Sequence, residues 1–178
     1  APLSPNFGGP KFLHMIRKHP GLRKKVLSSQ VFYGPLSAYL THALTGIATI
    51  DESIAGRTLF FNIHSSDWSK KCMDLFQIPA SGLPMLRPVL YDHGSICDTN
   101  LSLDCVIGDQ QAALIGQEGL SRGSIATNFG TSASVLYNAG GNPIVVNGLI
   151  SSVLFSDGKQ RKHVVEGTIN ACNSLFHH

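Results

Sequence analysis

Charge is scarce in this chain. Only 14% of its 178 residues are Asp, Glu, Lys or Arg, against roughly a quarter in an ordinary globular domain. With 43% hydrophobic residues, disorder is excluded as the main state. Long apolar runs are also lacking, and none approaches the ~20 residues of a membrane span. No basic-plus-apolar leader with a cleavage site opens the chain, so export has no support. The four cysteines, Cys72, Cys97, Cys105 and Cys172, have no CxxC spacing. That argues against a disulfide framework or a zinc site and for reduced core thiols in a cytoplasmic protein. GxGxxG, GxSxG, HExxH and GxxxxGK[ST] are all missing, which removes the dinucleotide, α/β-hydrolase, zincin and Walker-loop readings. The eight histidines show no metal-ligand spacing and are expected at the surface or as satisfied core groups. No metal ligand is predicted. The sequon Asn100-Leu101-Ser102 lacks a secretory context and is discounted.

The charge that is present is unevenly placed. Residues 1–50 hold six Lys/Arg and no acid, whereas residues 51–178 hold eight Lys/Arg and eleven Asp/Glu. Such a basic third would suit nucleic acid or polyphosphate. However, Arg17, Lys18, Arg23, Lys24 and Lys25 alternate with Phe12, Leu13, Ile16, Val26 and Leu27 in a pattern that reads as the solvated face of helices. No nucleic-acid module accompanies the charge.

Helical spacing predicts helices over 10–19 and 21–28, divided at Pro20-Gly21. Another is predicted over 35–45, with Pro35 in its first turn and Gly46 as its stop. A short helix is expected over 51–58, entered through Asp51 and Glu52. The next, over 67–76, is expected to be capped by Ser66 or Asp67, with Trp68 as a buried anchor. Cys105-Val106-Ile107 reads as a short buried strand feeding a helix from Asp109 to Gly116. Gly116–Gly123 reads as a linker and marks the boundary between domains 1–118 and 119–178. Strands are expected on either side of Gly130-Thr131. A hairpin is expected across Asp157-Gly158, followed by a helix from about Thr168 to the last residue. An opening without Met and helical spacing running to the end suggest a piece of a longer protein.

Two stretches carry chemistry. In Ile107-Gly-Asp-Gln-Gln-Ala-Ala-Leu-Ile-Gly-Gln117 a carboxylate, Asp109, stands at a helix start, where the dipole and backbone N–H groups favour its charged form. Such a group suits a general base at the lip of a cleft, and it equally suits a helix cap. In Thr127-Asn-Phe-Gly-Thr-Ser-Ala-Ser134 a tight turn at Gly130-Thr131-Ser132 offers N–H groups and hydroxyls to phosphate oxygens. The same turn also reads as an ordinary hairpin.

Gly-Asp-Gln-Gln-Ala-Ala-Leu-Ile-Gly-Gln at 108–117 resembles the central motif of the FGGY carbohydrate kinases, closest to the glycerol kinase group. Arg57-Thr-Leu-Phe-Phe-Asn-Ile-His-Ser-Ser-Asp-Trp68 is similar to that group's "SRT-LFNIH-LDW" segment. Asn128-Phe-Gly-Thr131 is similar to its "NTYGT" turn, and Val165-Glu-Gly-Thr168 to its "LEG" step. The resemblance implies an α/β, actin-like ATPase (ribonuclease H-like) fold. The chain would span the end of a substrate domain and the start of a nucleotide domain. It implies ATP and Mg²⁺ as cofactors, a sugar or polyol substrate, and no nucleic-acid or membrane partner; a homo-oligomer stays open. Asp109 matches the catalytic base and Gln110 a substrate contact, while Gly130 and Thr131 match the nucleotide-phosphate turn.

The sequence departs from the pattern in three places. Asn6 stands where the group has a substrate Tyr, and Ser134 where it has an aromatic. Both changes replace apolar wall with groups suited to a more hydroxylated substrate than glycerol. Asn173 falls where a nucleotide-facing Gly is usual. On this reading the chain by itself is an inactive piece, with an apolar surface exposed where further sheet would lie. The competing reading is a non-catalytic binding or regulatory protein on the same fold.

Overall fold

The computed structural model describes residues 7–170 and Cys172. Asn6 and Asn173 lie outside them. Helices α1 (Gly8–Lys18) and α2 (Pro20–Leu27) form as the spacing predicts, with Pro20 opening α2. Their apolar stripes meet in a core of Phe12, Ile16, Val26, Phe60, Phe76, Ile78 and Leu83. Phe60 packs edge-on against both Phe12 and Phe76, at centroid distances of 6.4 and 5.6 Å, the arrangement that ring quadrupoles favour. The basic side chains of both helices face solvent.

Helix α3 (Leu36–Thr45) ends at Gly46, whose φ of 75° needs a residue without Cβ strain. It buries Ala38 and Thr41 and leaves Leu36, Tyr39, Leu40 and Leu44 exposed. Strand β1 (Thr49–Asp51) pairs in parallel with β4 (Met85–Arg87). Between them lie α4 (Glu52–Ala55), a 3-10 turn at Gly56–Thr58, the hairpin β2 (Phe61–Asn62) and β3 (Asp67–Trp68), and α5 (Lys70–Phe76).

Four sequence expectations change here. The cap of α5 is Ser69, whose hydroxyl accepts from Cys72 N–H. Ser66 and Asp67 are consumed by the β2–β3 hairpin, where Ser66 takes φ 56° and Asp67 begins β3. Trp68 is half-buried, packed beside two core clusters. Residues 105–107 form no strand, because their only ladder contact is an isolated bridge, Leu90↔Cys105, in a long loop. The cysteines are free but are not core thiols: Cys97 and Cys105 are exposed, Cys72 and Cys172 half-buried.

After α6 (Asp109–Gly116) the chain builds one antiparallel sheet of order β5-β6-β8-β7. Its strands are β5 (Ile125–Phe129), β6 (Ala133–Gly140), β7 (Ile150–Ser156) and β8 (Arg161–Ile169). Both predicted hairpins are observed. Leu114 of α6 packs on one sheet face against Ala126, Leu136, Leu154 and Val164. The helix expected from Thr168 is not found among the described residues: Thr168 and Ile169 continue β8, paired with Ser134 and Ala133 of β6, and Asn170 and Cys172 lie in bends. The remainder of that expected helix, Cys172 apart, lies outside the described residues. No helix among the described residues is long and apolar enough to cross a membrane.

Candidate active site

The N-terminus of α6 and the face of the sheet beneath it hold most of the predicted site. Gly108 is the N-cap residue, in extended conformation, and makes no side-chain cap bond. Asp109 is therefore the first helical residue rather than the cap. Its side chain is exposed, and its Oδ1 accepts the Gln110 N–H at 2.8 Å. Among the described residues it enters no ion pair. A Cβ at Gly108 would lie 2.4 Å from Gln111 Oε1 and 2.9 Å from Ile54 Cδ1, so a larger residue here would force these two side chains to shift.

Three glutamines, two in α6 and one at its C-cap, tie the helix to the sheet. Gln110 Oε1 accepts from Asn128 Nδ2 at 2.9 Å, and Asn128 Oδ1 accepts from Gln117 Nε2 at 3.0 Å. On the buried side, Gln111 Nε2 donates to Ser152 Oγ at 3.2 Å. Asn128 links the two predicted motifs, being bonded to the residue after Asp109 and standing two positions before Gly130. In the turn, the Gly130 N–H is donated to Ser132 C=O at 2.8 Å, so that amide is spent internally. The hydroxyl-bearing Thr131 and Ser132 are exposed.

A polar row continues across the sheet. Asn128 pairs with Ser134, and Ser134 with Thr168. Ser134 is buried, and its Oγ lies 3.5 Å from Glu166 Oε1, which also receives Thr168 Oγ1 at 3.4 Å. Arg57 closes the row through a short ion pair to Glu166 Oε2. Glu52, the first residue of α4, receives Arg161 in a bidentate pair, Nε at 2.8 Å and Nη2 at 2.6 Å. The geometry of such a pair fixes orientation as well as charge. Both pairs join the segment 52–57 to β8.

Sequence reasoning assigned roles to Asp109, Gln110, Gly130, Thr131 and Ser134 and missed Arg57, Asn128 and Glu166. All three stood inside the quoted motifs. The available signal was a lone charge or amide in a stretch of small and apolar residues, which pairs if it is buried. A separate cavity of ≈ 580 Å³ lies between Leu59, Phe61, Val145 and Leu149. No charged side chain and none of the predicted residues lines it.

The α/β fold of this chain is shared with sugar kinases of known structure. Plasmodium falciparum glycerol kinase with ADP superposes with a TM-score of 0.89 at 26% identity, over 94% of this chain and 35% of that one. Xylulose kinase from Rhodospirillum rubrum, at 16% identity, shares the fold with a TM-score of 0.85 over 98% of this chain and 36% of its own. The α/β, actin-like fold expected from the sequence is the one observed.

In sequence, glycerol kinase 2 of Saccharolobus solfataricus is 32% identical over 93% of this chain and 34% of its own length. Glycerol kinase of Limosilactobacillus reuteri is 32% identical over 94% of this chain and 35% of its own. Residues 1–116 match the model of the FGGY family of carbohydrate kinases, N-terminal domain. The chain belongs to the FGGY family of carbohydrate kinases, and it spans about a third of the length of these relatives.

Proposed function

We propose that this chain is the central part of an ATP-dependent sugar or polyol kinase, with Asp109 as its general base. The observation that carries the reading is the state of Asp109. Its carboxylate stands exposed at the first position of α6 and, among the described residues, is committed only to a neighbouring N–H. A carboxylate serving as a cap or a structural ion pair would be spent; this one is free to accept a proton. In the reaction the substrate hydroxyl oxygen bonds to the γ-phosphorus of ATP while the bond to the bridging oxygen breaks. ADP leaves with that electron pair, and the hydroxyl proton passes to Asp109.

Gln110 supports a substrate contact, held in place by Asn128. Gly130 and Thr131 form the phosphate turn, chiefly through the exposed Thr131 hydroxyl, and Asn173 is assigned to the nucleotide. Among the described residues no three His, Cys, Asp or Glu gather into a metal cage. The fit is thus to a Mg²⁺ carried on nucleotide phosphates, where it would offset charge on the transferred group. Residues 1–118 are assigned to the substrate domain and 119–178 to the nucleotide domain. The protein is placed in the cytoplasm.

The substrate class follows from Asn6 and Ser134. Ser134 lies beside Glu166, so a substrate hydroxyl there would meet a hydroxyl–carboxylate pair rather than an apolar wall. That favours a pentulose, a longer ketose or a larger polyol over glycerol. Because the chain covers about a third of its relatives, turnover is expected of the full-length protein and not of these residues alone.

The test is a kinase assay on the full-length protein with a panel of polyols and ketoses, beside Asp109→Asn. Loss of a general base lowers kcat by roughly 10²–10⁴, with the Michaelis constants little changed. ATP binding without turnover on any member of the panel would replace the kinase reading with a non-catalytic one. Turnover of glycerol far above every other sugar would overturn the substrate assignment.

A further inference from the structure

The reading of Asp109 as base leaves a buried carboxylate unexplained. Asp51 closes β1 and caps α4; it is 0% exposed. Its Oδ1 accepts the Ser53 N–H at 2.9 Å and the Ile54 N–H at 3.2 Å, and it also takes a short bond from Ser53 Oγ. Its Oδ2 is buried with no partner among the described residues. A charged group in so dry a place is costly, and a serine or threonine would cap a four-residue helix as well.

Ser53 leads to the site. The Gly108 N–H reaches Ser53 Oγ at 2.9 Å. An amide N–H can only donate, so the serine oxygen accepts there, and its single proton is left for Asp51. The direction of the chain is therefore set: Gly108 N–H to Ser53 Oγ, then Ser53 O–H to Asp51 Oδ1. Asp51 and Ser53 are both fully buried. Gly108 is the residue from which α6 starts, one position before Asp109, and Ile54 of α4 packs against the same glycine. The flanking Glu52–Arg161 and Arg57–Glu166 pairs tie this segment to β8.

We propose that Ser53, oriented by Asp51, is a positioning residue for Asp109: it holds the backbone turn at Gly108 and so sets where the base carboxylate stands. This rests on the reading of Asp109 as the base. Neither Asp51 nor Ser53 touches substrate; both act through the turn.

The experiment uses the full-length protein carrying Ser53→Ala, the isosteric pair Ser53→Thr and Ser53→Val, and Asp109→Asn. For each, kcat and the Michaelis constants for sugar and ATP are measured per folded molecule, counted by ADP binding. A displaced base costs rate rather than binding. Ser53→Ala and Ser53→Val should lower kcat by about tenfold or more, as sub-ångström misplacement does, with both Michaelis constants within about twofold. Ser53→Thr, which keeps the hydroxyl, should recover most of the rate.

Wild-type kcat in Ser53→Ala or Ser53→Val would overturn the proposal, and so would equal loss in Thr and Val. If Ser53→Ala does not fold, the Thr/Val pair decides alone. The two readings fail differently. Turnover surviving in Asp109→Asn removes the base, and this inference with it. Turnover lost in Asp109→Asn but intact in the Ser53 variants removes only the relay.

Discussion

Asp51 and Asp109 both stand at the first turn of a helix, and their surroundings assign them opposite roles. Asp109 faces solvent with one local bond, while Asp51 is sealed beneath α4. Burial pushes the Asp51 carboxyl above its ordinary 3.8 to about 6, although its hydrogen bonds pull the other way. The sign of the consequence follows from linkage. Between pH 3.8 and about 6 the folded state holds a proton that the unfolded state has released. The contribution of Asp51 is thus fully present below pH 3.8 and is lost as pH rises through 6. The Asp51→Asn variant is neutral at every pH and escapes this loss. Urea unfolding of the full-length protein at pH 4 and pH 7 should show the variant gaining on the parent by on the order of 3 kcal/mol. A difference that does not change with pH would refute the assignment. Comparing variant with parent cancels His93 and His163, whose pKa values burial lowers.

Among the elements, the capping of α5 separates what local sequence can resolve from what it cannot. Ser66, Asp67 and Ser69 all stand before the same apolar run, and each is a favoured cap residue. The choice falls to Ser69 because Phe61 pairs with Trp68, and the Ser69 N–H is held by Phe60 C=O, which places the helix start after the hairpin. Ser69→Ala should cost about 1 kcal/mol. Ser66→Ala, at a position that caps nothing, should lie within about 0.5 kcal/mol of the parent. Thermal unfolding of the two variants side by side checks this, and equal losses would contradict the assigned cap. The same dependence on a partner explains the strand expected at 105–107, which meets a single bridge. It also explains the overrun of β8 into residues expected to be helical, since β6 supplies them with ladder partners.

Across the molecule, one short segment holds the two parts together. Residues 51–57 cap α4, grip the turn before Asp109, and send ion pairs to Arg161 at the start of β8 and to Glu166 in its interior. The Glu166 and Glu52 side chains are 5% exposed, and their arginines 30% and 31%. Arg57→Ala would leave Glu166 buried and unpaired, at a cost of roughly 3 kcal/mol. The exposed Lys70–Asp74 pair is of the kind worth about 0.5 kcal/mol or less. Lys70→Ala in parallel therefore measures how far burial sets the value of a charge pair. If the two substitutions destabilised alike by urea titration, the clamp would be dispensable.

What the sequence determined by itself was local and periodic. The helices α1, α2, α3 and α6 follow from apolar spacing and from Pro and Gly at their ends. The hairpins at Gly130 and Asp157 follow from turn chemistry, and the candidate base and phosphate turn from motifs of adjacent residues. Each depends on neighbours along the chain, whose geometry the backbone already restricts. Tertiary structure decided which serine caps α5, where β8 stops and which cysteines are exposed. It also decided that Arg57, Asn128 and Glu166 join the site. It set a buried Asp51 behind Gly108, distant in sequence but linked to it through Ser53. Those outcomes depend on partners far away in sequence, and the dry, low-dielectric contact that gives them their chemistry exists only once the halves have packed.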